Sequence, residues 1–386
     1  MIRKCKSLLC TAAALLLLLP YAPDVSAQTS TAVPFLLISP SSRNSAMGEA
    51  GVALADDVSA IFWNPAGLGF QDDMELSLNH SNWLPQFQQS DLFFEYAGYK
   101  MDLPATGGTI GAALTYLNLG EFERRDEGNN SLGTFKSYEI AFTTSYGTRL
   151  DEDFAVGIGL RLIHSSLSQV GTAREQGSGT ATAVAGDLGV LYRPSKLVLP
   201  FSDKDIGNRF SLGASITNIG PSISYIDEAQ SDPLPTALRL GFAYDLVHEK
   251  YNTLTWTTDV TKLLVSRTDK KADPFYEAVY KSWDVDNVFN TFTLGTGIEY
   301  WYSQLVGLRF GFFHEDPNYG NRRFLTFGAG VRYDIYGFDF SYISTAISDD
   351  DTPSPLSETL RFTLSVNWGR GPKDDGTRIP ADDAAN

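Results

Sequence analysis

Apolar and polar residues alternate along most of this chain. From Leu360 to Trp368 an apolar residue stands at every second position, and the residues between them are Arg, Thr, Ser and Asn. A period of two indicates a β-strand, because successive side chains of a strand point to opposite faces. The same pattern predicts about fourteen strands of roughly ten residues, at 74–83, 91–101, 107–122, 136–149, 154–166, 181–193, 209–219, 236–246, 252–261, 292–301, 305–314, 324–333, 336–343 and 360–368.

A soluble β-sandwich and an outer-membrane β-barrel share this period, and two further features favour the barrel. Aromatic residues stand at the ends of the apolar faces, as in the girdles of membrane barrels: Tyr138, Tyr146, Tyr336, Tyr342 and Trp368. Long connections, such as 123–135, mostly follow odd-numbered strands, which fits long loops outside the cell and short periplasmic turns; 194–208 is an exception. We therefore predict an all-β fold, a 14-stranded antiparallel transmembrane β-barrel over residues 71–368.

The residues before the barrel form two segments. Residues 1–27 contain basic residues, an apolar run and the small-residue site Val25-Ser26-Ala27, which is typical of a signal peptide. Segment 28–70 is rich in small residues, and we predict that it forms a small helical plug inside the barrel or a cap on it. Its turn residues are Asn64, Pro65, Ala66, Gly67 and Leu68. A surface helix followed by an Asn-Pro turn is the alternative, and residues 369–386 form a polar C-terminal tail.

Composition excludes some classes of function. The two cysteines, Cys5 and Cys10, lie in the predicted signal peptide, so the mature chain has neither a disulfide nor a catalytic thiol. Removing residues 1–27 takes away three basic residues and one acidic residue, which changes the net charge from −16 to −18. This acidity argues against nucleic acid as a partner.

Charged residues lie on the polar face of the predicted strands. An arginine facing lipid near the bilayer midplane costs about 2–4 kcal/mol, so these charges are expected to face the lumen. They form either a path that guides anions or, as we favour, a structural network of ion pairs: Arg161, Arg239, Arg309, Arg332, Arg361, Glu299 and Asp339. Inward-facing glycines leave room beside these side chains or beside a plug.

Signals for catalysis are weak. The four histidines are scattered and show neither zinc-protease spacing nor a nucleophile elbow, so we expect no enzymatic activity, no cofactor and no metal. The run Asp349-Asp350-Asp351 could bind a divalent cation, but a solvated acidic loop is the commoner outcome.

Two predicted loops are candidates for contact with a partner. The long connection 262–290 carries Phe275, Tyr276, Tyr280 and Trp283 and also Phe289, and aromatic residues are favoured anchors in protein interfaces. The alternative is that this loop folds inward over the barrel mouth. The first outer loop, with Trp83 and Phe87, is the second candidate.

The N-terminal part of the chain resembles a known family. The stretches Thr31–Ile38 (TAVPFLLI), Ser45–Ala53 (SAMGEAGVA) and Trp63–Leu68 (WNPAGL) are similar to the N-terminus of PorV proteins, outer-membrane components of the type IX secretion system and a branch of the FadL-type fourteen-stranded barrels. The Asn-Pro-Ala element marks the wider superfamily, and the Val-Pro-Phe-Leu-Leu-Ile opening is the more specific signal. The tail after Trp368 departs from barrels that stop at a terminal aromatic residue.

The resemblance implies a non-enzymatic role in the Gram-negative outer membrane, among lipid and lipopolysaccharide. PorV-like proteins bind the C-terminal signal domain of secreted cargo on the extracellular side. They carry it from the type IX translocon to the sortase complex, which attaches it to the cell surface. The alternative is a FadL-like transporter of hydrophobic small molecules, which the polar lumen expected here disfavours.

Overall fold

The computed structural model describes residues 31–87, 92–125, 128–168, 179–200, 204–225, 231–268, 271–344, 347 and 356–368. The predicted signal peptide, the predicted tail and the Asp349–Asp351 run lie outside these residues. Within the described residues, fourteen strands close into one antiparallel barrel. They are β1 (Met74–Asn82), β2 (Phe93–Leu103), β3 (Gly108–Arg125), β4 (Ser131–Arg149), β5 (Phe154–Ser168), β6 (Gly179–Tyr192), β7 (Phe210–Ile219), β8 (Ala237–His248), β9 (Asn252–Leu263), β12 (Phe292–Tyr302), β13 (Val306–His314), β14 (Arg323–Tyr333), β15 (Tyr336–Ser344) and β16 (Leu360–Trp368).

Each barrel strand pairs with its neighbour along the chain, and β16 pairs with β1 to close the ring. The predicted 14-stranded antiparallel barrel is thereby confirmed. The connection between β9 and β12 contains a short hairpin, β10 (Arg267–Thr268) and β11 (Lys271–Ala272), and the helix Phe275–Lys281. The remaining helical pieces are Pro34–Leu37, Ser42–Ser45, Ala60–Trp63, Pro65–Phe70, Pro85–Phe87 and Val288–Thr291. None of the helices in the described ranges is long and apolar enough to cross a membrane.

The barrel has an apolar outside and a polar inside. On β16, Phe362 and Leu364 are 39% and 57% exposed, whereas Arg361 and Thr363, which alternate with them, are 1% and 5% exposed. The same contrast recurs around the ring, for instance at Ile158 and Leu160 of β5. This is the reverse of a water-soluble protein and matches a wall that faces lipid outside and a polar lumen inside.

The two ends of the barrel differ. At one end β1 begins and β16 ends, and the connections between strands are short except for 193–209; we call this the terminal rim. The opposite end, the loop rim, carries the long connections, including 220–236 and 264–291. Just below the loop rim a row of rings crosses β1 to β5, with neighbouring ring centres 5.9–6.3 Å apart: His80, Phe93, Tyr116, Tyr138 and His164. Such a row is typical of an interfacial aromatic girdle.

The prediction of a loop over residues 123–135 is wrong for most of this stretch. β3 and β4 continue past the loop rim as a two-stranded ribbon, in which Glu123 is paired with Thr134 and Phe122 stacks on Phe135. The backbone hydrogen bonds persist there. The alternation of apolar and polar residues fades because neither face of the ribbon packs on lipid or on a core.

Segment 31–70 fills the lumen and forms the core of the molecule. Its residues Ala46, Met47, Ala60, Ala66 and Leu68 are completely buried. The alternative of a surface helix followed by an exposed turn is excluded by this burial. The segment is therefore a plug, built from short helical turns.

Candidate functional site

The Asn-Pro turn ties the plug to the wall near the terminal rim. Asn64 Oδ1 accepts a hydrogen bond from the Ala66 backbone N–H at 3.1 Å and so caps the turn Pro65–Phe70. Its Nδ2 donates to the carbonyl of Val52 at 3.1 Å and to that of Val190 on β6 at 2.9 Å. Proline at the first position of this turn suits the fixed φ angle of its ring. One amide thus joins the turn, the rest of the plug and the barrel.

Glycines on the inner face of the wall let the plug backbone come close. A Cβ atom on Gly297 would lie 2.5 Å from Met47 Cα, and one on Gly157 would lie 2.2 Å from the Pro65 carbonyl carbon. Two other inward glycines, Gly159 and Gly330, instead leave room for the lumenal carboxylates Asp187 and Asp339. Inward-facing glycines therefore both let the plug backbone approach the wall and leave room for charged side chains, the two roles suggested by the sequence.

Buried polar contacts fix the plug at several heights. Asp259 Oδ2 of β9 accepts the backbone N–H groups of Gly51 and Val52 at 2.6 and 2.8 Å. Arg43 of the plug binds Glu299 of β12 at 2.7 Å. Burial opposes the charge on Arg43, but Asp56 and Glu299 outweigh that effect and raise its pKa.

The lumenal charges predicted from sequence lie on the inner face and are mostly held in pairs. Arg161 binds Asp187 at 3.0 Å. Arg309 binds Glu299 at 2.6 Å and Asp339 at 2.8 Å, and Arg332 binds Asp339 at 2.6 Å. The arrangement is that of a structural ion-pair network, since these guanidinium groups are occupied by carboxylates of the wall.

The other two arginines contact the plug. Arg361 donates to the Ser39 carbonyl and to Ser45 Oγ, both at 2.6 Å. Arg239 lies over the rings of Phe62 and Trp63, 5.0 and 5.4 Å from the ring centres. These contacts make the two cations part of the attachment between wall and plug.

The lumen below the loop rim is apolar, so the expectation of a polar lumen is wrong for this part. Phe35 and Leu36 of the plug are packed there in a cluster of buried residues that includes Phe94, Leu117, Ile163 and Leu234. A second cluster of Phe313, Phe324, Ile343 and Leu356 adjoins Trp83. The sequence carried a signal for this region, because Phe93-Phe94 and Phe312-Phe313 are apolar on both faces of their strands. The cavity between Phe35, Phe62 and Arg161 measures only about 10 Å³, room for roughly one water molecule.

The long connection between β9 and β12 exposes most of its aromatic residues. Tyr276 is 60% exposed, Tyr280 78% and Phe289 84%, while Phe275 packs edge-on against Tyr276. Trp283 packs edge-on against Phe292, and the ammonium group of Lys262 lies over the Trp283 ring, 5.2 Å from its centre. The loop therefore does not bury these side chains in the barrel mouth.

Ion pairs order the helix that carries these aromatic residues. Lys281 binds Asp273 at 2.9 Å and Glu277 at 2.7 Å. Desolvation opposes ionisation of Asp273, but its hydrogen bonds from Lys281, Ser266 and Thr268 lower its pKa. The second candidate loop is different: Trp83 is half-buried and its ring centre lies 6.4 Å from that of Phe94, and Phe87 ends the turn Pro85–Phe87.

The histidines are far apart and have simple partners. His80 contacts Glu95 at 2.8 Å, His248 contacts Asp245 at 3.0 Å and His164 contacts Thr182 at 3.0 Å, and His314 stacks on Phe312. Among the residues that the structure describes, no group of three or more His, Cys, Asp or Glu side chains could hold a metal ion.

Comparison with known families identifies the chain. The family model described as type IX secretion system protein PorV matches residues 23–270, which is more than half of the sequence. The chain belongs to the PorV family. This PorV-family protein is thus an outer-membrane β-barrel component of the type IX secretion system, as the N-terminal motifs implied. No curated protein matches it.

Solved structures similar to this PorV-family barrel are FadL-like. A TodX monoaromatic hydrocarbon channel (a deltaS2 mutant) has a TM-score of 0.50 and 14% identity, over 85% of this chain and 97% of that one. The Ralstonia pickettii toluene transporter TbuX has a TM-score of 0.48 and 15% identity, over 85% and 98%. A Pseudomonas aeruginosa FadL homologue has a TM-score of 0.43 and 12% identity, over 85% and 98%. At such identities the likeness concerns the fold alone.

Proposed function

We propose that this PorV-family barrel binds the C-terminal signal domain of secreted proteins at its loop rim. It carries the domain from the type IX translocon to the sortase attachment complex and catalyses no reaction itself. The observation that carries the proposal is the exposed aromatic surface of the helix Phe275–Lys281 and its flanks. Large exposed aromatic side chains on an ordered support are typical binding anchors, because they bury much area at little cost in conformational entropy.

The orientation in the membrane supports this role. Outer-membrane barrels have their short turns in the periplasm and their long loops outside, which puts the loop rim at the cell surface. Lipid and lipopolysaccharide surround the apolar wall. The proposal involves no nucleic acid and no cofactor, and hydrolytic activity that disappears when one rim histidine is changed would contradict it.

Replacing Tyr276, Tyr280 and Trp283 together with Ala tests the proposal. We expect binding of a purified C-terminal signal domain to weaken by at least about 30-fold, since hot-spot aromatics contribute about 1–2 kcal/mol each and losses at neighbouring sites are not additive. Binding is measured with the barrel in detergent, and the thermal unfolding midpoint is measured alongside it.

The matched control replaces exposed tyrosines at the terminal rim, Tyr251, Tyr302 and Tyr333, with Ala. This control should bind the signal domain as the unchanged protein does. Undiminished binding by the loop variant, with its fold intact, would show that the aromatic helix is not the binding surface.

A second function, transport of hydrophobic small molecules, is favoured by one observation. The apolar lumen below the loop rim is the kind of environment that such a compound needs. In this structure Phe35 and Leu36 of the plug occupy it. Transport therefore requires the upper part of the plug to move, whereas cargo binding does not.

A further inference from the structure

The plug extends over the whole height of the barrel. At the loop rim, the backbone N–H of Ala32 donates to the carbonyl of Pro233 at 3.0 Å, in the connection between β7 and β8. At the terminal rim, the carbonyl of Gln71 accepts a hydrogen bond from Thr109 at the start of β3. The N-terminal end of the described chain is thus at the rim opposite to the one where β1 begins.

Burial holds this end in place. Phe35 is 1% and Leu36 is 3% exposed, and both are packed against side chains of the wall and of connection 220–236. Withdrawing them toward the terminal rim would empty the apolar cluster and expose it to water, which costs about 1.5–3 kcal/mol for each side chain. Residues 31–33 therefore stay at the loop rim.

A series of contacts connects this end to the aromatic helix. Asp232, the neighbour of Pro233, forms an ion pair with Arg267 of β10. The next residue, Thr268, donates to Asp273 at 2.9 Å, and Asp273 also binds Lys281 of the helix at 2.9 Å. A backbone bond of 2.8 Å from Leu264 N–H to the Thr236 carbonyl joins the same two connections.

We infer that the plug at Thr31, which is partly exposed, reaches the outer surface and forms one interaction surface with residues 220–225, 231–236, 264–268 and 271–291 of the two connections. The partner that this surface fits is a folded secreted domain, and this part rests on the function proposed above. The display of Thr31 does not depend on that function. The plug then has two roles, since it fills the lumen and also contributes residues around Thr31 to the recognition surface.

Single cysteines test the display, because Cys5 and Cys10 are the chain's two cysteines and can be changed to Ser. The variants are Thr31→Cys, Tyr280→Cys at the loop rim and Ala105→Cys in the exposed turn between β2 and β3 at the terminal rim. In intact cells, a membrane-impermeant maleimide should label Thr31→Cys and Tyr280→Cys, and should label Ala105→Cys only after the outer membrane is permeabilised. If Thr31→Cys stays unlabelled in intact cells while Tyr280→Cys reacts, the display is wrong.

Polyethylene glycol maleimide tests whether Thr31 belongs to the binding surface. Attached to purified Thr31→Cys, it should weaken binding of a C-terminal signal domain at least tenfold, and attached to Ala105→Cys it should leave binding unchanged. Equal binding by both conjugates overturns the shared surface. If the unmodified barrel binds no signal domain, the proposed function is wrong. The labelling result still decides whether Thr31 is displayed on the outer surface.

Discussion

At the scale of single residues, buried charges determine how firmly the wall of this barrel is held together. Arg309 is the clearest case, because its side chain is fully buried and joins Glu299 of β12 to Asp339 of β15. Replacing it with Met leaves Glu299 with Arg43 alone and Asp339 with Arg332 alone, and removing one partner of a buried ion pair costs up to about 3–5 kcal/mol. We expect Arg309→Met to lower the midpoint of unfolding in guanidinium clearly, as followed by tryptophan fluorescence in detergent.

Arg332→Met is the matched control. Arg332 also binds Asp339, but its side chain is 29% exposed. Water can therefore reach the site and solvate the carboxylate of Asp339 after the substitution. Its loss should be well below that of Arg309→Met. Equal midpoints for the two variants would show that burial does not set the strength of this network.

Such pairings are beyond what the sequence predicts. Alternation identified which arginines face inward, because one face of each strand must avoid lipid. Which carboxylate each arginine meets depends on the register between strands, and Arg43 meets Glu299 across 256 residues of chain. The partners of Asn64 were hidden for the same reason, although its place in a turn of the plug was predicted.

At the scale of elements, the fit between plug and wall depends on glycine. A Cβ atom on Gly297 would come within 2.5–2.7 Å of the backbone of Met47, and neither backbone can yield without moving a strand or the plug. We expect Gly297→Ala to destabilise the protein by about 1–3 kcal/mol, as overpacking does. The lowered midpoint is measured by heating the barrel in detergent and following its change in electrophoretic mobility.

Gly186→Ala on β6 provides the comparison, because the nearest atom to its added Cβ is 3.8 Å away. It should unfold at nearly the same temperature as the unchanged protein. A Gly297→Ala variant as stable as Gly186→Ala would mean that the plug is loosely held.

Elements were predicted well where one physical rule governed them. All fourteen barrel strands lie within a few residues of the predicted positions, because lipid on one side and a lumen on the other impose a strict alternation. The prediction was wrong where that constraint ends, at residues 123–125 and 131–135 of the ribbon beyond the loop rim, which were predicted as a loop. The helix Phe275–Lys281 was missed because seven residues offer too short a window for a helical period.

At the scale of the whole molecule, the lumen changes character along its height. Toward the terminal rim, ion pairs and glycines clamp the plug. Toward the loop rim, apolar side chains of the wall surround Phe35 and Leu36. The sequence suggested a uniformly polar lumen, because the charged residues in the middle of the strands and toward the terminal rim dominate the pattern. The signal for the apolar part is confined to the outer ends of a few strands, such as Phe93-Phe94 and Phe312-Phe313, and these residues meet in one region only once the strands are aligned in the ring.

Because the lumen is apolar toward the loop rim, one binding experiment can distinguish the two candidate functions. If the barrel is a cargo carrier with a fixed plug, its apolar lumen is already filled and toluene finds no site. Replacing Phe35 and Leu36 with Ala then creates an apolar cavity, and cavities of this kind stay dry and bind small aromatic molecules. We expect toluene to bind to the double variant and not to the unchanged protein, as measured by calorimetry in detergent. The variant should still bind the signal domain, because Tyr276 and Tyr280 are untouched. Binding of toluene to the unchanged protein would instead show that the upper plug moves aside, as transport requires.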